Sequence, residues 1–493
     1  MRRAVTVAAV LTAVAAVPLA PTSSSAAAPY RGANTAAVQD DFNGDGYRDL
    51  AVGAPGAAHG TVQEAGAVVV LYGSKSSVST ARRTVITQAS SGIPGGPEEW
   101  DGFGGAVASA DLDRDGYADL LVGAEGEDVG GLDNRGTVTV VWGGKSGLKG
   151  GANIAPPAGF GEGRTYCSFG MALAVGDMTG DGAAEVGIGS RCDSSSYKGP
   201  FARTGKAASQ YQEWRVGARG VVMGDVNGDG KAERFWLPGP SDDDIRGSVY
   251  VDHGAPGDDY LSTWPTELPY ADGHTGQIGD INGDGYGDLV TGIADDDYLS
   301  GTTDGAHRGG EIQVLYGSAQ GIGAEQRPKV FHQDTAGVPG GGENADQFGK
   351  ALSVGDVNAD GYADVAVGAP GEAVGTREMA GMAVVLRGSA TGLTTKKVVG
   401  YTQNSTGVPG TAEASDEFGA AVHLADLNKD GRAETVVGTP GEDTDGCLWI
   451  ARGSASGPVV GGSATLCGKA AGVAVRYTDG LFGGALTSAR VTV

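Results

Sequence analysis

The chain has 493 residues, a formal net charge of −25, 40 % hydrophobic and 19 % charged residues, and 89 glycines. That apolar share excludes a disordered chain, and an acidic excess without a basic stripe excludes nucleic acid as a partner. Gly-rich turns between short Val/Ile/Leu/Ala runs point to an all-β array, longer than a single core can serve.

The first 28 residues read as an export signal. Arg2 and Arg3 form a basic head, Ala4–Ala20 an apolar body, and Ser23–Ala28 a run of small residues with a cleavage site near Ala26–Ala28. A short segment, 29–35, leads into the repeats at 36–493. No later stretch is long and apolar enough to span a bilayer. The chain is expected to be a soluble, secreted, extracellular monomer.

The first repeat opens at Asp41 with a nine-residue loop, Asp-x-[Asp/Asn/Thr]-x-Asp-Gly-x-x-[Asp/Glu], followed by an apolar run. The loop recurs at Asp111, Asp177, Asp225, Asp280, Asp356 and Asp426. Side-chain oxygens at positions 1, 3, 5 and 9 and a backbone carbonyl at 7 surround one point, and Gly at 6 permits the sharp turn. This is the hard-oxygen set that Ca²⁺ takes. An EF-hand needs Glu at position 12 and flanking helices. Here that position is Val52, Val122 or Val437, inside a β-prone run, so the units are strand–loop–strand. The expected ligands, up to seven Ca²⁺ in all, fall in seven sets. They are Asp41, Asn43, Asp45, Tyr47 and Asp49; Asp111, Asp113, Asp115, Tyr117 and Asp119; and Asp177, Thr179, Asp181, Ala183 and Glu185. Further on come Asp225, Asn227, Asp229, Lys231 and Glu233; Asp280, Asn282, Asp284, Tyr286 and Asp288; Asp356, Asn358, Asp360, Tyr362 and Asp364; and Asp426, Asn428, Asp430, Arg432 and Glu434. Thr179 in place of Asp or Asn should make the third site the weakest. These loops hold 22 of the 60 carboxylates, so much of the acidity is accounted for by metal ligation.

Self-similarity extends past the loops. Phe-Gly stands eight residues before four of them, at Phe103, Phe169, Phe348 and Phe418. Gly-Ala-Pro-Gly or a relative follows the second strand, as at Gly53–Gly56 and Gly368–Gly371. A third strand, a Gly-Ser-x-x-Gly turn (Gly317–Gly321, Gly388–Gly392, Gly453–Gly457) and a fourth strand complete the unit. Four strands per unit and spacings of 70, 66, 48, 55, 76 and 70 residues predict a seven-bladed β-propeller of four-stranded antiparallel blades. An orphan Phe482-Gly483 near the end, and Ala33-Asn34 where Phe-Gly is due before Asp41, predict closure of the ring by the chain termini. Which terminal strand sits innermost is left open by the pattern. The units at Asp225 and Asp280 lack Phe-Gly, and Arg234 stands where an apolar strand residue is expected.

Four cysteines suit two disulfides in an oxidising compartment. Cys167 and Cys192 are nearly equidistant from the loop centre at Asp181, and Cys447 and Cys467 from the turn at Gly457. Residues equidistant from a hairpin turn face each other, which favours 167–192 with 447–467 over the other two pairings.

With Phe-Gly, Gly-Ala-Pro and the acidic loop in place, the chain resembles the FG-GAP repeat family, best known from the propeller at the head of integrin α subunits. The resemblance covers about residues 36–493. It implies the propeller fold, Ca²⁺ in the loops and a role in adhesion or ligand binding. No Arg-Gly-Asp, inserted adhesion domain or membrane tail accompanies it, so integrin-type signalling is not implied.

The chain carries no Gly-x-Ser-x-Gly elbow and no His-Glu-x-x-His. Its six histidines are scattered, most of them expected in loops or at the surface, and no catalytic role is assigned. Strand alternation puts the acidic loops on one face. The long connections, including Pro97–Asp101, Glu125–Asp133, Asp295–Asp304, Glu343–Asp346, Glu413–Glu417 and Glu442–Asp445, share the other. Long loops on a rigid frame are where recognition usually resides. The expectation is a calcium-stabilised module for an extracellular protein or carbohydrate, with Trp100 at its contact surface. The alternative is a secreted hydrolase with a carboxylate site on that same face.

Overall fold

The structure, a computed structural model, describes residues 38–78, 81–213, 217–239, 247–252, 265–294, 307–473, 482–486 and 489–490. The export signal, the segment 29–35, Ala33-Asn34 and the loop Asp295–Asp304 lie outside the described residues.

Seven antiparallel sheets follow one another around an axis, as the repeat count predicts. Blade 2 shows the plan: Ala106–Ala110 innermost, then Asp119–Ala124, Thr137–Val141 and Gly151–Asn153. The innermost strands of blades 3 to 7 are Ala172–Gly176, Gly220–Gly224, Thr275–Gly279, Ala351–Gly355 and Ala421–Ala425. Blade 1 answers the question of closure. Its strands Leu50–Ala54, Ala67–Leu71 and Arg83–Ile86 receive Ala485–Leu486 as the inner strand, with Val52 opposite Leu486 and Gly53 opposite Ala485. Ala489–Arg490 folds back on that strand and lies against the inner strands of blades 2, 6 and 7.

Inner strands are rich in Ala and Gly because the strands converge on the axis. Second strands such as Asp119–Ala124 and Asp364–Ala369 are buried at every residue, which is why they read as continuous apolar runs. The core is divided among the gaps between blades. Phe103, for example, sits between Val68 and Val70 of blade 1 and Val107 and Val122 of blade 2. The repeated glycines follow from that packing. A Cβ on Gly123 would lie 2.1 Å from the carbonyl oxygen of Gly170 in the next blade, and Gly170 itself has φ +92°. Phe-Gly of one blade thus lies directly across the Gly-Ala-Pro glycine of its predecessor.

Both disulfides pair as the spacing favoured, Cys167 with Cys192 and Cys447 with Cys467. The second joins directly opposed residues of adjacent strands. The first lies beyond the ladder of Ala172–Gly176 with Glu185–Gly189 and ties the chain entering blade 3 to the connection after its second strand. Arg234 occupies the apolar position its sequence number suggested and is 1 % exposed. Asp252 makes this tolerable: its Oδ2 accepts from Nη2 at 2.6 Å and Nε at 3.1 Å, and the guanidinium lies over Trp236. Among the described histidines, His423 departs from the expected loop or surface position. His423 is buried on the inner strand of blade 7, where burial and then Arg48 push its pKa down to about 4. It lines an axial cavity of about 600 Å³ together with Arg48 and His274. His307 and His332, distant in sequence, stack with ring centroids 3.5 Å apart.

Candidate functional site

All seven acidic loops have one internal geometry. The position-1 Asp turns its carboxylate inward and accepts the N–H of the position-6 glycine on Oδ2, at 2.8–3.0 Å in every copy. The position-9 carboxylate accepts the N–H of position 2, at 2.8–3.2 Å in every copy. Gly at position 6 is required because its φ lies near +80° to +91° throughout. Neighbouring loops are also linked: Ala118 N–H donates to the Asp41 carbonyl and Ala363 N–H to that of Asp280.

The two acids at position 9 behave differently because of their length. In Asp49, Asp119, Asp288 and Asp364 the second oxygen accepts from the glycine opening the turn between strands three and four, at 2.7–3.0 Å. The longer Glu185 leaves Oε1 buried without a hydrogen-bond partner, whereas Glu233 and Glu434 take the amides of Asn227 and Asn428. Asn358 and Asn428 in turn keep Oδ1 buried and without a partner.

These position-9 groups are poorly matched to their surroundings as anions. Burial, with the like charge of the other loop carboxylates added, pushes Asp49, Asp119, Glu185, Asp288 and Glu434 up to about 7 and Glu233 to about 8. Asp364 rises only to about 6, because Arg387 reaches its Oδ2 at 2.8 Å and offsets part of the burial. A hard divalent cation would neutralise this field and give the orphaned oxygens of Glu185, Asn358 and Asn428 a partner. The donor set is all oxygen and fits calcium. Asp111, Asp113 and Asp115 bring carboxylate oxygens within 4.8 Å of one another.

Arg203 was not foreseen here. It bridges Asp113 and Asp115 at 2.5 Å each, entering from the turn between the third and fourth strands of blade 3. Nothing in the loop spacing announces it.

The opposite face holds a second repeated arrangement. Gln88 donates from Nε2 to Glu127 at 2.5 Å, and Asp101 accepts the Glu98 N–H at 2.6 Å. Gln333, Glu372, Asp346 and Glu343 repeat it between blades 5 and 6, and Gln403, Glu442, Asp416 and Glu413 between blades 6 and 7. Burial pushes Glu127 and Glu372 up to about 7 and Asp101 to about 6. A signal was present in the sequence: each Gln stands six residues before the Pro of Gly-[Ile/Val]-Pro-Gly, and each Asp two before Phe-Gly. His307, His332 and Asp334 also cluster, but the imidazole planes are 9° apart, so their lone pairs run parallel rather than converging.

Fold and loops together define a β-propeller whose blades each carry an acidic loop of one design. The chain carries three FG-GAP repeats: the FG-GAP repeat family matches residues 33–71, 103–141 and 348–386. It is 35 % identical over 178 residues to bovine phosphatidylinositol-glycan-specific phospholipase D, covering 35 % of this chain and 21 % of that protein. It is 26 % identical over 211 residues to chicken integrin alpha-V, 41 % of this chain and 17 % of that one. With integrin alpha-5 of Xenopus laevis it shares 32 % identity over 168 residues, 33 % and 15 % respectively. The chain thus spans about a fifth or less of the length of these relatives. Among the described residues no helix is long and apolar enough to cross a membrane, which says nothing of β-barrels.

Proposed function

We propose that the protein is a secreted, calcium-stabilised binding module. The acidic loops hold Ca²⁺ through the ligand sets named above, and the face opposite them contacts an extracellular protein or glycan. The single observation that carries the reading is the distribution of exposed apolar side chains. Trp100 (56 % exposed), Tyr166 (58 %), Val129 and Met379 all stand on connections of that face. Trp100 and Tyr166 lie on successive junctions, each bonded through its N–H to the preceding blade's long loop, at Gln63 and Asp133. Aromatic side chains held on a rigid rim suit recognition.

In this reading calcium does no chemistry. Position-1 and position-9 carboxylates orient the loop through backbone N–H groups, and the exposed position-5 carboxylate of each loop closes the site from solvent. The two disulfides and the integrin and phospholipase relatives support an extracellular setting. Phospholipase activity is not carried over, because the matched segment is about a fifth of those enzymes. The test is a glycan and protein array probed with the purified chain in calcium and in chelator, beside Trp100→Ala and Tyr166→Ala. Calcium-dependent binding lost in both variants supports the assignment. Binding that survives both substitutions places recognition elsewhere.

A further inference from the structure

Three of the blade junctions on the face away from the acidic loops share one Gln–Glu–Asp arrangement. We propose that the junctions of blades 1–2, 5–6 and 6–7 each bind a hard divalent cation, calcium by donor chemistry, separate from the nine-residue loops. The site is composed of a Glu from the connection after one blade's second strand, an Asp and a Glu from the chain entering that blade, and a Gln from the end of the preceding blade's outer strand.

Glu343, Asp346 and Glu372 place carboxylate oxygens within 4.8 Å of one another. Oxygens that share a calcium ion at about 2.4 Å are separated by no more than about 4.8 Å. No nitrogen or sulfur ligand is offered, which disfavours zinc and copper.

An unmet acceptor is present in all three copies. Gln88, Gln333 and Gln403 are 4 %, 2 % and 6 % exposed, and each keeps Oε1 buried with no hydrogen-bond partner. Each amide lies against the site's glutamate through Nε2. A buried carbonyl-type oxygen left unpaired loses its hydration without a replacement partner and destabilises the fold. Half a turn of the amide exchanges Nε2 and Oε1 within the same outline and presents that oxygen to the carboxylates. This is the orientation a cation selects.

The junction of blades 2 and 3 serves as an internal control. There Cys167 stands two residues before Phe-Gly, where the other junctions have Asp101, Asp346 or Asp416. Arg164 stands three residues earlier still, in the place of Glu98, Glu343 and Glu413. Its Nη2 lies 3.0 Å from Asp193 in the connection after the second strand, and Cys167 is bonded to Cys192 of the same connection. This junction therefore carries its own cation and a covalent tie. At the blade 1–2 junction the charged groups acting on Glu127 are Asp101, Glu98 and Asp128, all acidic. The blade 5–6 junction has Asp346 and Glu343 in the same role. A divalent ion supplies there what Arg164 and the disulfide supply between blades 2 and 3.

The test uses the full chain and the metal alone. Native mass spectrometry at saturating Ca²⁺ compares the wild type with the triple variant Glu127→Gln, Glu372→Gln and Glu442→Gln. The expected result is three fewer bound ions in the variant, with loop occupancy intact. An unchanged count overturns the proposal, whereas a wild type holding only three ions would show the acidic loops empty and leave the junction sites standing. A second readout does not depend on the triple variant folding. Trp100 adjoins Asp101, so Tb³⁺ in the blade 1–2 junction should emit on excitation of tryptophan. The component removed by Trp100→Phe should also vanish in Glu127→Gln and persist in the loop variant Asp115→Ala. Emission indifferent to Glu127→Gln would also refute the site.

Discussion

Removing metal should invert the pH dependence of stability. Asp49 is fully buried, and without a cation its pKa stands at about 7 against an ordinary 3.8. At neutral pH, ionising it in the folded state costs on the order of 4 kcal/mol more than in the unfolded chain, at about 1.4 kcal/mol per pH unit. A raised carboxyl pKa favours the fold while the group is protonated. In chelator, this contribution should therefore be fully present below about pH 4 and be lost as pH rises from there through 7, where Asp119, Glu185, Asp288 and Glu434 follow and Glu233 titrates near 8. Two such groups left ionised and unneutralised would cost about 8 kcal/mol, comparable to a whole domain's ~5–15 kcal/mol. With calcium bound the ionised form is favoured, so the sign reverses and acid becomes the destabilising condition. The assay is thermal unfolding between about pH 4 and 8, once with a chelator and once with saturating Ca²⁺. Parallel pH profiles in the two conditions would refute the reasoning.

Asp252→Ala should cost about 3–5 kcal/mol in denaturant unfolding, because it strands the buried Arg234 guanidinium. The paired change to Arg234→Met with Asp252→Leu should recover most of that loss. Reduction or removal of the Cys447–Cys467 bond should cost about 2–4 kcal/mol, read from the shift in urea midpoint. Asp360→Ala should lower the melting temperature in calcium more than Asp181→Ala does, since Thr179 already deprives the third loop of a strong ligand. Arg203→Ala should tighten calcium binding at the second loop, measured by titration calorimetry, because the guanidinium competes for Asp113 and Asp115.

The propeller was legible because its packing repeats. Phe103 and Gly123 recur at fixed offsets for one reason: each Phe fills a gap between blades, and each glycine lets the next backbone approach. Closure by the chain ends could be read from the orphan Phe482-Gly483. The place of Ala485–Leu486 next to Leu50–Ala54, with Ala489–Arg490 beyond it, could not, since both ends offered an incomplete unit. The acidic loops could be read because ligand spacing is local. Arg203 and Arg387 could not, because they reach the carboxylates from another blade's turn and from the neighbouring strand, and a charge brought in by topology leaves no mark on loop spacing. The Gln–Glu–Asp junctions lay between these cases. Gln88 and Glu127 are repeated in register, but their meeting depends on adjacency of blades. Arg234 shows the reverse limit: the sequence marks it as out of place, and only Asp252, eighteen residues on, explains why it is tolerated.

Calcium in the acidic loops is proposed to hold the propeller together, and calorimetry at graded free Ca²⁺ puts this to the test. An extracellular site with a Kd near ~10⁻⁴ M adds roughly 1.8 kcal/mol at about 2 mM Ca²⁺. Seven independent loops would add about 12 kcal/mol, as much as a typical domain's total stability. The account predicts a melting temperature that climbs steeply with free calcium and collapses in chelator at neutral pH. A melting temperature indifferent to chelator at pH 7 would mean that the loops are empty or energetically idle, and would contradict it.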